Sequence, residues 1–404
     1  MIPTRSTSSP TGTARSAGRL EPTQAEGVCE GQEASGPCAV PVRAAAGEST
    51  DYPPHFEERD TSVDKIETLD WPAPWPCLTD SQFPRLNGHR AEWIHGVSRG
   101  LGQRVFLVRA TSNDRTTGVL PLHLVSGPLF GRFLVSLPYL NTGGVWASDL
   151  PTACRLIDRA CELADALDVR YLELRHEAPV QHPRLNFQRT DKVHMRLVLP
   201  QAVDGVMASL ASKVRSQVKK AGEYGFEVEF GQRALLDEFY FVFARNMRDL
   251  GTPVFPRKLF ASILDEFRHN AELCVVRRNA QPVAAGLLVH SEGVSEVPSA
   301  SCLREFNRMN PNMLMYRHLL ERSVARGSRL FDFGRSSEGS GTYKFKAQWG
   351  AQPHRATWQY YVRRGDPSDM RADAEGKQRL VRIWQRLPVW VTKLIGPPIV
   401  RGIP

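Results

Sequence analysis

The chain has 404 residues, of which 41% are apolar and 24% charged, and its formal net charge is +9. The length fits about two domains, and the composition excludes a collagen-like chain and a small secreted scaffold. The longest uncharged runs, 116–131 and 133–148, are too short and too polar to span a bilayer. Seven scattered cysteines without a CxxC pair and no apolar signal region predict a cytoplasmic protein.

Residues 1–62 are predicted to form a disordered tail. Pro, Gly, Ser and Thr dominate this segment, and few large apolar residues are available to offset the entropy of the chain. A transit peptide is the alternative, because the first charged residues are arginines, although no amphipathic period is present. Ordered structure is predicted to begin near Val63.

From Val63 onward, a mixed α/β unit is predicted twice. The first copy has strands at Val105–Arg109 and Gly118–Val125, a strand and Gly-rich loop over 133–147, a helix from Pro151 and a strand at Tyr171–Arg175. The second copy has strands at Leu273–Arg277 and Val283–His290, a helix after Pro311 and a strand at Phe331–Gly334. These patterns predict a tandem α/β protein with a mixed sheet in each half.

The two copies share one spacing. Pro151 and Pro311 are 160 residues apart, and so are Arg175 and Arg335. A recurring order of elements at one period indicates an internal repeat. We expect a first domain over 63–200, a second over 201–365 and a C-terminal segment over 366–404.

Two helices are predicted between the copies, at Ser209–Gly222 and Leu235–Leu250. The first carries basic residues beside its apolar stripe, and the second ends in polar residues before a Gly-Thr-Pro break. A cationic helix face binds phosphate or sugar acids, or is simply solvated. The candidate substrate contacts on these helices are Lys213, Arg215, Lys219, Asn246 and Asp249.

Familiar nucleotide, zinc-hydrolase and esterase motifs are absent, and the densest polar cluster lies at 332–346. It places a flexible Gly/Ser loop after a strand, where backbone amides can approach an anion or a developing oxyanion. A plain solvated loop is the alternative. The candidates are Asp332 or Glu338 as proton acceptor, Tyr343 as proton donor, Lys346 for the oxyanion, and Arg335 and Trp349 for substrate binding.

A helix start at Asn310-Pro311-Asn312 is a second candidate anion site, because unpaired amides and the helix dipole favour negative charge there. Arg308 lies just upstream and adds positive charge. Arg308, Asn310 and Asn312 are therefore the candidate cofactor-binding residues, and a plain Asn cap is the alternative. No metal-binding motif is present, so no metal cofactor is expected.

The C-terminal segment is basic and amphipathic. Residues 376–404 contain six Lys or Arg and no acid, while large apolar residues recur along one side of 380–394. Such a segment docks on an anionic membrane or on the protein's own surface. A peripheral contact with the inner membrane through residues 380–401 is the functional prediction.

Eight stretches of this sequence together resemble the FemAB-like acyltransferases of the GNAT superfamily, and in particular the subgroup associated with exosortase/PEP-CTERM exopolysaccharide systems. Among them are YLELRHEAP, SKVRSQVKKAGEYGFEVE, NPNMLMYRHLLERS, FDFGRSSEGSGTYKFKAQWGAQP and IWQRLPVWVTKLIGPPIVR. The resemblance runs from about residue 100 to 401. It implies two GNAT-like domains, acyl transfer in a cleft between them, and a role in transfer for Lys346 in Tyr343-Lys344-Phe345-Lys346.

Two departures from the family bear on the acyl donor. No long coiled-coil arm of the kind found in tRNA-dependent relatives is present, which disfavours aminoacyl-tRNA. The CoA-binding pattern Gln/Arg-x-x-Gly-x-Gly/Ala corresponds here to Arg308-Met309-Asn310-Pro311-Asn312-Met313, so the arginine is kept and the glycines are lost. Acyl-CoA remains the predicted donor.

The function predicted from the sequence is N- or O-acyl transfer to an exopolysaccharide or cell-envelope precursor, by direct attack of an amine or hydroxyl on an activated acyl carbonyl. The expected partner is a sugar or lipid-linked polysaccharide precursor. DNA is not expected to bind. The alternatives are an aminoacyl-tRNA-dependent transferase and a non-catalytic, membrane-docked adaptor of polysaccharide biosynthesis.

Overall fold

The computed structural model describes residues 65–73, 87–366 and 377–404. The predicted tail over 1–62 lies outside these described residues. The described strands are β1 (Lys65–Asp70), β2 (Arg104–Ser112), β3 (Arg115–Gly127), β4 (Gly131–Val135), β5 (Trp146–Ala147), β6 (Tyr171–His176), β7 (Phe187–Arg189), β8 (Lys192–Val198), β9 (Glu227–Gly231), β10 (Ala271–Arg278), β11 (Gln281–Ser291), β12 (Val294–Cys302), β13 (Leu330–Ser337), β14 (Gln352–Arg355) and β15 (Thr357–Val362).

The helices lie on and between the sheets. They are α1 (Ala91–Leu101), α2 (Leu150–Ala166), α3 (Asp204–Ser209), α4 (Ser212–Gly222), α5 (Leu236–Leu250), α6 (Arg257–Phe267), α7 (Pro311–Ala325), α8 (Gly341–Ala347), α9 (Lys377–Arg386) and α10 (Val389–Arg401). The helix predicted over Ser209–Gly222 is divided, since α3 ends at Ser209 and α4 begins at Ser212.

The strands form two mixed sheets with the same internal order. The first runs β1-β2-β3-β4-β6-β15-β7, with β5 paired to β3, and the second runs β9-β10-β11-β12-β13-β8-β14. Each sheet contains one parallel pair, β4 with β6 and β12 with β13. A helix crosses over between the strands of each parallel pair, α2 in the first half and α7 in the second. The predicted fold of two mixed sheets flanked by helices is confirmed.

One strand from each half belongs to the sheet of the other half. Strand β8 follows the first copy in sequence but pairs with β13, and β15 follows the second copy but pairs with β6. Because β7 pairs with β15 and β14 with β8, segments 187–198 and 352–362 form one antiparallel ribbon through both sheets. The sheets therefore do not follow the predicted division at residue 200, and each half differs from it by one strand.

A shared apolar core joins the two halves. Helices α1 and α6 approach so closely that a Cβ at Gly100 would lie 2.5 Å from Cα of Leu259. Around this contact, Trp93 of α1 packs with Phe267 and Tyr139. Burial of such large side chains stabilises the packing of the two halves against each other.

Candidate functional site

The repeat places two arginines at the ends of equivalent strands, and the structure brings them to one indole ring. Arg175 of β6 and Arg335 of β13 lie over Trp358 of β15, with guanidinium carbons 4.3 and 4.8 Å from the ring centroid. Arg189 approaches the same ring at 5.8 Å. The indole N–H donates to the carbonyl oxygen of Asn141 at 3.2 Å, which fixes the orientation of the ring.

The two equivalent arginines have different partners. Arg175 is buried, and its Nε donates to Glu173 at 2.7 Å. Arg335 is exposed to solvent, and among the described residues its guanidinium has no hydrogen bond or ion pair. Desolvation and the neighbouring Arg175 nevertheless lower the pKa of Arg335 to about 10. No carboxylate among the described residues neutralises Arg335, so its guanidinium is available to an anion.

Lys346 anchors the strand that carries Arg335. The residue is 8% exposed, and its amine donates to the carbonyl oxygens of Gly334 at 3.0 Å and Arg335 at 2.8 Å. Gly334 has a φ of 74°, in the left-handed region that favours glycine, where β13 shifts register against β8. The third donor of the amine has no acceptor among the described residues.

The Lys346 amine is also perturbed electrostatically. Burial lowers its pKa to about 8, since desolvation disfavours the charged form; Arg335 lowers it further and Asp332 opposes the shift. An amine that changes charge near neutral pH, next to an unpaired arginine, is the kind of group found at functional sites.

Asp332 is already engaged on both oxygens. Oδ1 accepts the Gly334 N–H at 2.6 Å, and Oδ2 accepts Nε of Arg196 at 3.0 Å. Arg196 also binds Glu177, and Nδ1 of the buried His194 lies 3.9 Å from Oδ2 of Asp332. Asp332 therefore holds the backbone at Gly334 in place. Because its carboxylate is paired with Arg196, it is poorly suited to accept a proton from a substrate.

The remaining predicted residues of this cluster differ in their exposure to solvent. Glu338 is exposed in the turn after β13, and Ser340 caps α8 by accepting the Tyr343 N–H at 3.2 Å. Tyr343 is half-buried against the core of the second sheet. Trp349 is 2% exposed and packs on Tyr316, so its side chain supports the site from the core and is not open to a substrate.

The predicted residues on α4 and α5 are separate from the arginine cluster. Lys213, Arg215 and Lys219 are exposed on α4, and no described hydrogen bond or ion pair connects them to Trp358 or its arginines. Asn246 donates to the Ser301 hydroxyl of β12 at 3.2 Å, whereas Asp249 pairs with its neighbour Arg248.

The start of α7 presents few unbonded backbone amides. Pro311 has no N–H, and the amides of Met313 and Leu314 both donate to the carbonyl oxygen of Asn310. That leaves the Asn312 amide as the free donor of the first turn, with the exposed Arg308 nearby in sequence. Anion sites at helix starts use converging amides, so an anion there would rely on the Asn312 amide and Arg308, and the CoA contacts remain a prediction.

A loop of the first half contacts β12 and β13 where their parallel pairing ends. These strands pair in parallel only as far as Glu296 and Asp332. Beyond that point the Tyr139 hydroxyl bonds to Oγ of Ser299 at 2.8 Å, and the Asn141 amide reaches Gly334. Side chains of the first half therefore contact both strands of this parallel pair.

A Glu–His–Ser chain elsewhere is closed to solvent. His290 bonds to Glu272 at 2.9 Å and to Ser295 at 2.8 Å. Ser295 is fully buried, so its hydroxyl cannot meet a substrate and the chain has a structural role. In the described parts of the sequence, no cluster of His, Cys, Asp or Glu could hold a metal ion. None of the described helices is long and apolar enough to cross a membrane.

Residues 208–347 match the family model described as "Acetyltransferase (GNAT) domain". By this match the protein is an acyltransferase. The matched segment begins in α3 and ends one residue after Lys346, so it contains β13, Arg335 and α8. The match is consistent with an acyl-CoA donor. No curated protein sequence matches the chain.

Solved structures with a similar fold include FemX, at 14% identity and a TM-score of 0.50 over 73% of this chain and 94% of that one. Also similar are L-PGS from Bacillus licheniformis (13% identity, 74% and 92% covered, TM-score 0.45) and a tandem GNAT protein from the clavulanic acid biosynthesis pathway (13%, 73% and 98%, 0.43). At such identity the likeness to FemX shows the fold.

Four residues of the site were not singled out from the sequence: Trp358, Arg189, Arg196 and His194. They lie on the exchanged ribbon, in β15, β7 and β8. The only sequence signal for them was the clustering of aromatic and basic residues in these three short strands. That signal does not reveal that these strands lie next to Arg175 and Arg335.

Proposed function

We propose that this acyltransferase is FemAB-like and transfers an acyl group to an amine or hydroxyl of an anionic exopolysaccharide or cell-envelope precursor. The observation that carries the proposal is the exposed, unpaired Arg335 over Trp358. An unpaired guanidinium binds a carboxylate or phosphate strongly, and the indole face offers a surface for a sugar ring. The resemblance of the sequence to FemAB-like enzymes and the FemX-like fold support it.

Arg335 is the proposed substrate anchor because the other two arginines are committed. Arg175 is neutralised by Glu173, and Arg189 pairs with Asp191 at 3.1 Å. Their remaining positive potential raises the affinity of the site around Trp358 for an anion, while Arg335 supplies the direct bidentate contact. The anionic group of the precursor thereby holds the acceptor beside Lys346.

In the proposed reaction, the lone pair of the acceptor nitrogen or oxygen attacks the acyl carbonyl carbon. The bond between that carbon and the donor's leaving heteroatom then breaks. The third N–H of Lys346 stabilises the developing oxyanion, because it has no acceptor in the protein. Glu338, which has no ion pair among the described residues, accepts the proton of the nucleophile, and Tyr343 donates one to the leaving group.

The acyl carrier is tested separately from the acceptor. Because the start of α7 offers few free amides, no step of this reaction depends on contacts to the phosphates of CoA. Calorimetric titration with acetyl-CoA and with charged tRNA distinguishes the two carriers. Acetyl-CoA binding that is lost in Arg308→Ala supports acyl-CoA, whereas tRNA binding that weakens steeply with salt supports an aminoacyl donor.

The anion site is tested by titrating the full-length protein with glucose 1-phosphate and glucuronic acid. Arg335→Gln should weaken binding by roughly 10- to 100-fold, since one charge-assisted contact is lost. Arg115→Gln, an exposed arginine at the start of β3, is the matched control and should bind normally. Equal affinity of the wild type and Arg335→Gln for both ligands would refute the anchor. Absence of turnover with every donor would favour the adaptor.

A further inference from the structure

Exposed apolar side chains are concentrated in the C-terminal helices. In the described chain, half of the exposed large hydrophobic residues lie in 377–404: Leu380, Ile383, Trp390, Leu394 and Ile395. Trp390 is 69% exposed and Leu394 68%, and they are one helical turn apart on α10. Large aromatic and aliphatic side chains clustered in this way indicate an interaction surface.

Both helices are held to the protein by their other side. On α9, Val381 packs against Gly251, and the Gln385 amide donates to the carbonyl oxygen of Asp249 at 3.0 Å. On α10, Thr392 is buried and Gly396 packs against Val254. The apolar residues listed above therefore lie on the outward side of helices that are already anchored.

Unpaired cations flank this outward side. Arg379, Arg382 and Arg386 follow one another at helical spacing on α9, and all are exposed. None of the three has an ion pair among the residues that the structure describes. Lys393 of α10 is also exposed, but its Nζ lies 5.4 Å from the centroid of the Tyr240 ring, so it is not counted with these three. No Asp or Glu occurs from residue 377 to the last residue, so no charge within the segment neutralises these cations.

Further apolar groups continue the surface on the neighbouring elements. Leu250, at the end of α5, is exposed beside the contact between Gly251 and Val381. Leu129, exposed in the turn between β3 and β4, lines a shallow cavity together with Pro398 and Ile399 of α10. The surface is thus wider than the two helices alone.

We propose that the outward side of α9 and α10 binds the surface of an anionic lipid bilayer. Trp390, Leu394, Leu380 and Ile383 enter the boundary between headgroups and acyl chains, and the arginines of α9 contact lipid phosphates. Because residues 377–404 contain no Asp or Glu, the charge of this segment is complementary to an extended negative surface. The helices lie in the interface, since neither is long enough to cross. This proposal is independent of the acyl-transfer reaction.

The test is flotation of the full-length protein with vesicles of phosphatidylcholine alone and of phosphatidylcholine with 30% phosphatidylglycerol. We expect binding to the anionic vesicles and little binding to the neutral ones. Replacing Arg379, Arg382 and Arg386 together by Gln should lower the partition coefficient roughly 100-fold, because each basic residue near the surface contributes about fivefold. Trp390→Ser with Leu394→Ser should lower it at least about tenfold.

A matched variant separates a specific surface from the general positive charge of the protein. Arg115→Gln, Arg155→Gln and Arg329→Gln together remove the same charge from exposed positions outside the C-terminal helices. This control should bind vesicles like the wild type. If it loses as much binding as the α9 variant, or if the wild type does not bind anionic vesicles, the proposal is refuted. Circular dichroism of each variant verifies folding.

Discussion

The two halves of the molecule have the same strand order but use it differently. At the end of β6, Glu173 pairs with Arg175, and the amides of Gly143 and Gly144 close on the carbonyl oxygen of Arg175. At the end of β13, the equivalent Arg335 remains open, and a lysine from α8 holds the strand instead. In the first copy the arginine is therefore buried and paired, whereas in the second copy it is exposed to solvent without an ion pair.

The largest expected effect concerns Lys346, which has no counterpart described in the first half. Lys346→Met should reduce kcat by roughly 100- to 1000-fold, because one oxyanion donor is lost from the transition state. Steady-state kinetics with the identified donor measure this, and KM should change much less than kcat. Lys344→Met, an exposed lysine on the same helix, is the control and should retain wild-type rates.

Removing the buried ion pair between Glu173 and Arg175 should lower the free energy of unfolding. Glu173→Gln leaves the buried Arg175 without its carboxylate, and removing one partner of a buried ion pair costs about 3 kcal/mol. Urea denaturation, monitored by circular dichroism, measures the change in the free energy of unfolding. A change below about 1 kcal/mol would show that Arg175 does not depend on Glu173.

The free energy of unfolding should also depend on pH because the pKa of Lys346 is lowered in the folded protein. Between about pH 8 and pH 10.5 the folded protein has lost this proton while the unfolded chain retains it, so raising the pH favours the folded state. The stability of the wild type relative to Lys346→Met should therefore rise by about 2 kcal/mol from pH 8 to pH 10. Urea denaturation of both proteins over this range tests it, and a constant difference would contradict the shifted pKa.

The smallest effect is expected from Arg335 on stability. Because its guanidinium has no partner in the described chain, Arg335→Gln should change the free energy of unfolding by less than about 0.5 kcal/mol. The same urea experiment as for Glu173→Gln gives a direct comparison of the halves. A loss similar to that of Glu173→Gln would mean that Arg335 has a structural role like that of Arg175.

Much of this comparison was predictable from the sequence, because it depends on local patterns. The 160-residue spacing of Arg175 and Arg335 correctly indicated two copies of one unit, and the apolar period after Pro151 correctly indicated α2. Lys346 was a candidate both from the polar cluster at 332–346 and from the resemblance to a family, and the structure adds its burial against two carbonyl oxygens.

The rest depended on long-range pairing that the sequence does not display. Trp358 follows the second copy in the chain but joins the sheet of the first, so no local period connects it to Arg175. The number of amides left free at the start of α7 likewise depends on how the Asn310 carbonyl is used. The basic residues of α4 were predicted to contact substrate from their charge alone. Charge does not indicate where a helix lies relative to the arginines around Trp358.

The exchanged ribbon has a consequence for how this chain folds. A fragment ending near residue 200 would contain β8 without the sheet that receives it, and would lack β15. The complementary fragment would carry β15 without its own partner strands. Neither sheet can be completed until most of the chain has been synthesised, so we expect both halves to unfold in a single cooperative transition. Two separately expressed pieces would recover the native state only by associating with each other.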